Sequence, residues 1–180
     1  MKSISRFLFN KVMGWKIVNQ YPNPDKCIIA IAPHTSNWDF IVGKLAYSSL
    51  GRTANFLIKK EWFFFPFNLF FKSIGGVPIE RGKKSSTTET LAAEFAKHKK
   101  LQLAITPEGT RKPNSEWKKG FYFIALKAGV PIMLVGLNYD KKEAIFLGEF
   151  IPTGNYDEDI IKIKSKFEGM IGKHPKNFIL

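Results

Sequence analysis

The sequence has a single cysteine, Cys27, in a chain of 180 residues. One cysteine excludes an internal disulfide and any metal site made from several thiolates. The chain has only three histidines, which lie far apart and without the spacing of metal ligands, so we expect no bound metal. It contains no apolar run of about 18 residues, and its N-terminus lacks an apolar core followed by a small-residue cleavage site. We therefore expect neither a transmembrane helix nor a signal peptide.

Acidic residues are also scarce beside basic ones. The 15 Asp and Glu stand against 28 Lys and Arg, which gives a net charge of +13. This excess indicates an anionic partner: a nucleic acid, an anionic membrane or a phosphorylated substrate. The basic residues are spread along the chain, as on a folded domain with a positive face. A hydrophobic content of 44% is that of an ordinary globular protein, and 180 residues suffice for one domain with a full core.

Short apolar segments alternate with helical patterns along most of the chain. The patterns predict strands over 27–32, 55–58, 77–79, 101–105, 131–137 and 144–150, and helices over 38–50, 86–100, 120–128 and 157–171. This alternation predicts a single α/β domain over residues 22–180, with a largely parallel central sheet flanked by helices. Ligands of such sheets bind beyond the carboxyl ends of the strands.

Residues 1–21 form a separate basic and apolar segment. They carry four basic side chains and no acidic one. In a helix, one side would hold the apolar residues Ile4, Phe7, Leu8, Val12, Trp15 and Val18. We expect an N-terminal amphipathic helix here, which either lies in a membrane interface or packs on its own domain.

The most informative motif follows the first predicted strand. His34 lies just beyond the apolar run 27–32, and Asp39 follows it five residues later. An imidazole at the exit of a strand, with a carboxylate folded back toward it by a sharp turn, has the parts of a general base and its orienting partner. The alternative is a buried histidine and an aspartate that caps the start of a helix.

Two further motifs pair glycine with arginine. Pro107-Glu108-Gly109-Thr110-Arg111 follows a strand, and its glycine allows a tight turn while its arginine can grip a phosphate through two hydrogen bonds. The segment 75–82 is bounded by glycines and ends near Arg81, a second arginine that can bind a phosphate. The alternatives are a surface turn with a solvated arginine, and a loop in which Arg81 pairs weakly with the preceding glutamate.

These motifs, in this order, resemble the glycerolipid acyltransferase family, the PlsC-like group that acylates lysophosphatidate and related acceptors. Its members share a His-x4-Asp block, a Gly-rich block ending in Arg, a Glu-Gly-Thr-Arg block and a Val-Pro block. The corresponding stretches here are His34–Asp39, Gly75–Arg81, Glu108–Arg111 and Val130–Ile132. The chain departs from the common pattern at positions that leave the reacting groups in place but weaken any assignment of the acceptor: Pro33, Pro78, Lys112 and Met133.

The resemblance implies acyl transfer from a thioester, acyl-CoA or acyl carrier protein, to a hydroxyl, with these co-substrates and no separate cofactor. His34 would remove the hydroxyl proton, and Asp39 would fix the imidazole tautomer, without a covalent intermediate. The sequence has no G-x-S-x-G elbow, which argues against a covalent hydrolase. The expected phosphate-binding residues of the acceptor site are Arg81, Glu108, Gly109, Thr110 and Arg111.

The aromatic segment Trp62–Phe71 (WFFFPFNLFF) has three possible uses: it forms core, lines an acyl-chain tunnel or sits in the bilayer. We expect a cytoplasmic protein held peripherally at the inner face of the membrane by anionic lipid. Rival functions are acylation of another lipid, such as an ornithine lipid, a lysophospholipid or a glycolipid, and a non-catalytic module that binds lipid or nucleic acid. No nucleic-acid-binding motif is present, so nucleic acid is not an expected partner.

Overall fold

The structure, a computed structural model, describes residues 2–79 and 84–180, so Arg81 lies outside the described residues. The described strands are β1 (Lys16–Val18), β2 (Lys26–Ala32), β3 (Asn55–Lys59), β4 (Gly76–Ile79), β5 (Leu101–Ile105), β6 (Ile132–Asn138) and β7 (Glu143–Phe150). They form one sheet in the order β1-β7-β6-β2-β5-β3-β4. Every described pair is parallel except β6 with β7. The prediction of an α/β domain with a largely parallel sheet is confirmed.

Helices connect the strands. They are α1 (Lys2–Phe7), α2 (Trp38–Ser49), α3 (Phe67–Ser73), α4 (Lys84–Lys97), α5 (Gly120–Ala128) and α6 (Tyr156–Ser165). A π-helical turn (Leu8–Val12) continues α1, and 3-10 turns occur at Lys60–Trp62 and Pro175–Asn177. The final helix ends at Ser165, short of the predicted residue 171; turns follow it as far as Gly169, whose φ is +75°.

The N-terminal helix also ends earlier than the predicted residue 21. Gly14 has a φ of +72°, which breaks the helix after the π-turn, and the chain then adds β1 to the edge of the sheet beside β7. Phe9 and Trp15 are buried against the domain, whereas Ile4, Phe7 and Val12 are exposed. The segment is therefore anchored to the domain by two aromatic rings and presents an apolar face outward.

The core is built on the two faces of the central strands β2 and β6. Ile28 of β2 packs toward a cluster that includes Phe95 of α4 and Phe121 of α5. Ile29, on the opposite face, packs with Tyr47 of α2. Because alternate residues of a strand face opposite sides of the sheet, both faces are covered by helices and the strand is apolar throughout.

The aromatic segment between β3 and β4 lies largely on the surface. Phe65 is 78% exposed, Leu69 is 60% exposed, and none of the described side chains of α3 is buried. The rings contact one another, as in the edge-to-face pair Phe64–Phe67 with centroids 5.2 Å apart. The core alternative is wrong for most of this segment, since it lies at the β4 edge of the sheet and its outer rings are exposed in the part of the chain that the structure describes.

The topology gathers three loops at one edge of the sheet. β2, β5 and β6 run in the same direction, so their carboxyl ends lie together. The loop after β2 carries His34, the loop after β5 carries Glu108, and β6 is followed directly by Tyr139. This edge is where ligands of parallel sheets bind.

Candidate active site

The turn between β2 and α2 brings His34 and Asp39 into contact. His34 Nδ1 lies 3.1 Å from Asp39 Oδ2. Asp39 occupies the first turn of α2, five residues after His34. The turn between β2 and α2 therefore folds its carboxylate back toward the imidazole. The His34 side chain is 22% exposed and that of Asp39 is 2% exposed. The imidazole therefore reaches solvent while its carboxylate partner is shielded.

Asp39 is held by hydrogen bonds on both oxygens. Oδ2 accepts the backbone N–H groups of Thr35 and Ser36 at 2.7 and 2.8 Å, in addition to its contact with His34. Oδ1 accepts the hydroxyl of Tyr139 at 2.6 Å. Burial by itself raises the pKa of Asp39, but the hydrogen bonds from His34, Tyr139 and Ser36 outweigh it and hold the pKa below its ordinary value. Asp39 therefore stays ionised and fixed in place.

Tyr139 is a site residue that the sequence motifs do not contain. Its ring packs edge-to-face on Trp15, with centroids 4.9 Å apart. Burial and the hydrogen bond to Asp39 raise the pKa of its phenol, so it remains a proton donor to the carboxylate. The only sequence signal for it is its position one residue after a strand that neighbours β2.

Glu108 contacts the backbone of the base turn. Its Oε1 accepts the backbone N–H of His34 at 2.7 Å, and its side chain is buried. Burial raises the pKa of this carboxyl, and the backbone hydrogen bonds only partly offset the effect. Its Oε2 is buried without a hydrogen-bond partner among residues 2–79 and 84–180. Through Oε1, Glu108 fixes the backbone of the residue that carries the imidazole.

Gly109 and Thr110 shape the loop after β5. Gly109 has a φ of +66°, and a Cβ there would come within 2.8 Å of Lys118 Cγ. The residue must therefore be glycine for both conformation and space. Thr110 Oγ1 accepts the backbone N–H of Lys112 at 3.2 Å, so its hydroxyl faces its own turn.

Arg111 lies beside the base turn. It is exposed, and its Nη1 donates a hydrogen bond to Asn37 Oδ1. Asn37 is the residue directly before α2, two positions ahead of Asp39. The guanidinium is thus attached to the same turn that carries the imidazole. Because the Arg111 side chain is exposed, an anionic group of a ligand can reach it.

The structure brings His34, Asp39, Glu108 and Arg111 to one mouth at the carboxyl edge of the sheet. Arg81 lies outside the described residues, although β4, which leads to it, is parallel to β3 and ends at the same edge. No group of three or more His, Cys, Asp or Glu side chains able to hold a metal converges in the described part of the chain. The arrangement offers a partly exposed imidazole with a fixed carboxylate, next to a cation.

Comparisons with known proteins agree with this geometry. A family model described as "Acyltransferase" matches residues 15–137, more than half of the chain. The 1-acyl-sn-glycerol-3-phosphate acyltransferase of Streptococcus pneumoniae is 30% identical over 118 residues, which are 65% of this chain and 44% of that protein. The human 1-acyl-sn-glycerol-3-phosphate acyltransferase beta is 37% identical over 68 residues, or 34% of this chain and 24% of that protein.

A solved structure has the same fold. The 1-acyl-sn-glycerophosphate acyltransferase PlsC from Thermotoga maritima superposes with a TM-score of 0.61, covering 91% of this chain and 75% of that one, at 17% identity. The chain spans less than half the length of either curated relative. The resemblance read from the four motifs is confirmed.

Proposed function

The chain belongs to the acyltransferase family, and from this premise we propose that it moves a fatty acyl group from a thioester to a hydroxyl of a lysophosphatidate-like glycerolipid. The donor is acyl-CoA or acyl carrier protein, and no further cofactor takes part. The acceptor class is supported by the names of both curated relatives, which are 1-acylglycerol-3-phosphate acyltransferases.

One observation carries the chemistry: the 3.1 Å contact between His34 Nδ1 and Asp39 Oδ2. This contact commits Nδ1 to the carboxylate and leaves Nε2 as the proton acceptor. Nε2 takes the proton of the acceptor hydroxyl as its oxygen attacks the thioester carbonyl. A C–O bond forms, the C–S bond breaks, and the thiolate leaves with the proton that the imidazolium returns. No enzyme-bound acyl group is formed.

The acceptor's phosphate is bound by cations at the same mouth. Arg111 supplies one guanidinium, anchored by Asn37 next to the base turn. Arg81 supplies the second cation, Gly109 lets the backbone approach closely, and Thr110 is part of the same turn. Fixing a phosphate at this point holds the acceptor hydroxyl near His34, and such positioning lowers a barrier by up to several kcal/mol, roughly.

The direct test is thiol release from acyl-CoA in the presence of a panel of acceptors. We expect lysophosphatidate to support release in the unaltered protein and His34→Ala to abolish it. His98→Ala is the matched control, because His98 is exposed and lies just before β5 at the opposite edge of the sheet. An active His34→Ala protein would contradict the assignment of the base. Preference for an ornithine lipid, a lysophospholipid or a glycolipid would replace the proposed acceptor.

The proposed location is the inner face of the membrane, with the mouth of the site toward anionic lipid. None of the helices in residues 2–79 and 84–180 combines the length and apolar character needed to cross a bilayer. Trp38, Phe40 and Ile41, at the start of α2 beside the mouth, are exposed, as is Phe65 of the crossover that leaves from the same edge. Basic residues near anionic lipid contribute roughly 1 kcal/mol each, and the loop of Arg111 supplies such charges.

Vesicle co-sedimentation tests this location without any need for turnover. Phe65→Ser is expected to weaken binding to vesicles that contain phosphatidylglycerol by about tenfold, because it removes one large exposed ring. Ile151→Ser is the control: Ile151 is 62% exposed but follows Phe150, which pairs with the first residue of β6 at the opposite edge. Equal loss in both variants, or binding that ignores salt and anionic lipid, would contradict the proposal.

A further inference from the structure

The segment 171–177 contacts the turn after β2, the loop after β5 and Tyr139 after β6, although it contributes no group to the chemistry described above. It follows the turn after α6 and ends in the 3-10 turn Pro175–Asn177. We propose that this segment is a positioning element, which sets the place of the general base and, separately, the place of the phosphate-binding arginine. The inference rests on the proposed function, because it assigns roles to His34 and Arg111 within that reaction.

The first contact is with the base turn. The backbone N–H of His174 donates to Thr35 Oγ1 at 3.2 Å. Thr35 is buried, and its own backbone N–H donates to Asp39 Oδ2 at 2.7 Å. A displacement of Thr35 therefore moves the carboxylate that orients the imidazole of His34. The segment reaches the base through one intervening residue.

Gly172 makes this contact possible. It is buried, and a Cβ placed on it would lie 2.7 Å from Thr35 Oγ1, 2.8 Å from Thr35 Cγ2 and 3.1 Å from Pro33 Cβ. Real Cβ atoms essentially never approach other atoms as closely as the two Thr35 distances, so the base turn or the segment would have to move. Glycine is thus needed at 172 because the segment and the base turn lie too close together for a side chain. It is not needed for backbone conformation, since other residues adopt the φ found here.

The second contact is with the loop of the cation. Asn177 Nδ2 donates to the backbone carbonyl oxygen of Arg111 at 3.0 Å. This bond fixes the main chain from which the guanidinium extends, while Asn37 fixes its tip. A third contact secures the segment itself, since Tyr139 N donates to Ile171 O at 2.8 Å. Tyr139 is also the donor to Asp39 Oδ1.

The two contacts predict effects on different kinetic parameters, which a merely structural role would not produce. Thr35→Val and Gly172→Ala are expected to lower kcat by tenfold to a hundredfold, roughly, with little change in the acceptor's KM, because the base is misplaced. Asn177→Leu keeps a similar branched shape without the donor. It is expected to raise the acceptor's KM about threefold to tenfold and to leave kcat and the donor's KM unchanged.

Two matched variants make the test specific. Thr35→Ser keeps the Oγ1 acceptor and is expected to restore kcat relative to Thr35→Val. Lys176→Ala removes an exposed side chain of the same segment and is expected to change neither parameter. Parallel loss of kcat and of thermal stability in Thr35→Val, Gly172→Ala and Asn177→Leu, with no split between kcat and KM, would overturn the proposal. So would unaltered kinetics in all three.

Hydrogen–deuterium exchange separates this inference from the proposed reaction. Faster exchange is expected in the peptide covering 33–39 for Gly172→Ala and Thr35→Val, and in the peptide covering 106–112 for Asn177→Leu. These readouts need no substrate. If no acceptor supports acyl transfer, the proposed function fails, whereas this selective loss of protection still supports the positioning of the two loops. Unchanged exchange in both peptides overturns the inference whatever the activity.

Discussion

Replacing Tyr139 by phenylalanine removes a single oxygen from the support of the general base. The lost hydrogen bond joins the Tyr139 hydroxyl to Asp39 Oδ1 at 2.6 Å. The ring contact with Trp15 is retained, because phenylalanine has the same ring. Hydrogen bonds to charged groups contribute about 1.5–3 kcal/mol. We therefore expect the free energy of unfolding at pH 7 to fall by an amount in this range.

The loss must also depend on pH. The hydrogen bond helps to hold the pKa of Asp39 below its ordinary value, so its stabilisation is fully present above the unfolded-state pKa, about 4. It disappears as the pH falls through the pKa of the folded protein. In the variant the folded-state pKa of Asp39 is higher. The difference in stability between the two proteins is accordingly largest near neutral pH and shrinks in acid.

Urea unfolding of both proteins at pH 7 and in acid measures this difference. Tyr156→Phe is the control, because its hydroxyl lies a marginal 3.5 Å from the carbonyl oxygen of Trp117 and should contribute less than about 0.5 kcal/mol. The reaction needs Asp39 to be ionised, and its pKa is higher in the Tyr139→Phe protein. The fall of kcat on the acid side should therefore occur at higher pH in that variant. A destabilisation that is the same at both pH values would refute the reasoning, because it would not involve the ionised carboxylate.

Three further predictions concern Glu108, Arg111 and Cys27. Glu108→Gln keeps an oxygen for the backbone N–H of His34 and should retain kcat within about threefold, whereas Glu108→Ala leaves that donor unpaired and should lower kcat at least tenfold, roughly. Arg111→Ala should raise the acceptor's KM more than the donor's, and equal effects on both would contradict its role. Burial raises the pKa of the Cys27 thiol to about 12, so iodoacetamide should label it only in unfolded protein, as mass spectrometry can check.

The sequence predicts the parts of the site that lie close together along the chain. His34 and Asp39 are separated by one turn, and an apolar strand before them with a helix after them determines their approach. Glu108 belongs to a recognisable motif, but its contact with the backbone of His34 depends on the adjacency of β2 and β5. Local patterns carry no information about which strands become neighbours.

The remaining site residues depend on contacts between distant parts of the chain. Tyr139 lies 100 residues from Asp39, and it reaches the carboxylate because β6 pairs with β2. Asn177 and Gly172 reach the site only after α6 has packed on the sheet. The three-residue strand β1 escaped prediction for a related reason, since its stability comes from pairing with β7, more than a hundred residues away.

The position of β2 in the strand order has a consequence for how the protein loses activity on heating. β2 is hydrogen-bonded on both sides, to β5 and β6, whereas β4 has a neighbour on one side only within the described sheet. Local unfolding begins where a structure has the fewest partners, at its margins. The strand that precedes the general base should therefore unfold with the whole domain, while the edge strands β1 and β4 fray first. Under the proposed roles, fraying of β4 on heating would weaken the binding of the acceptor's phosphate before the general base is lost.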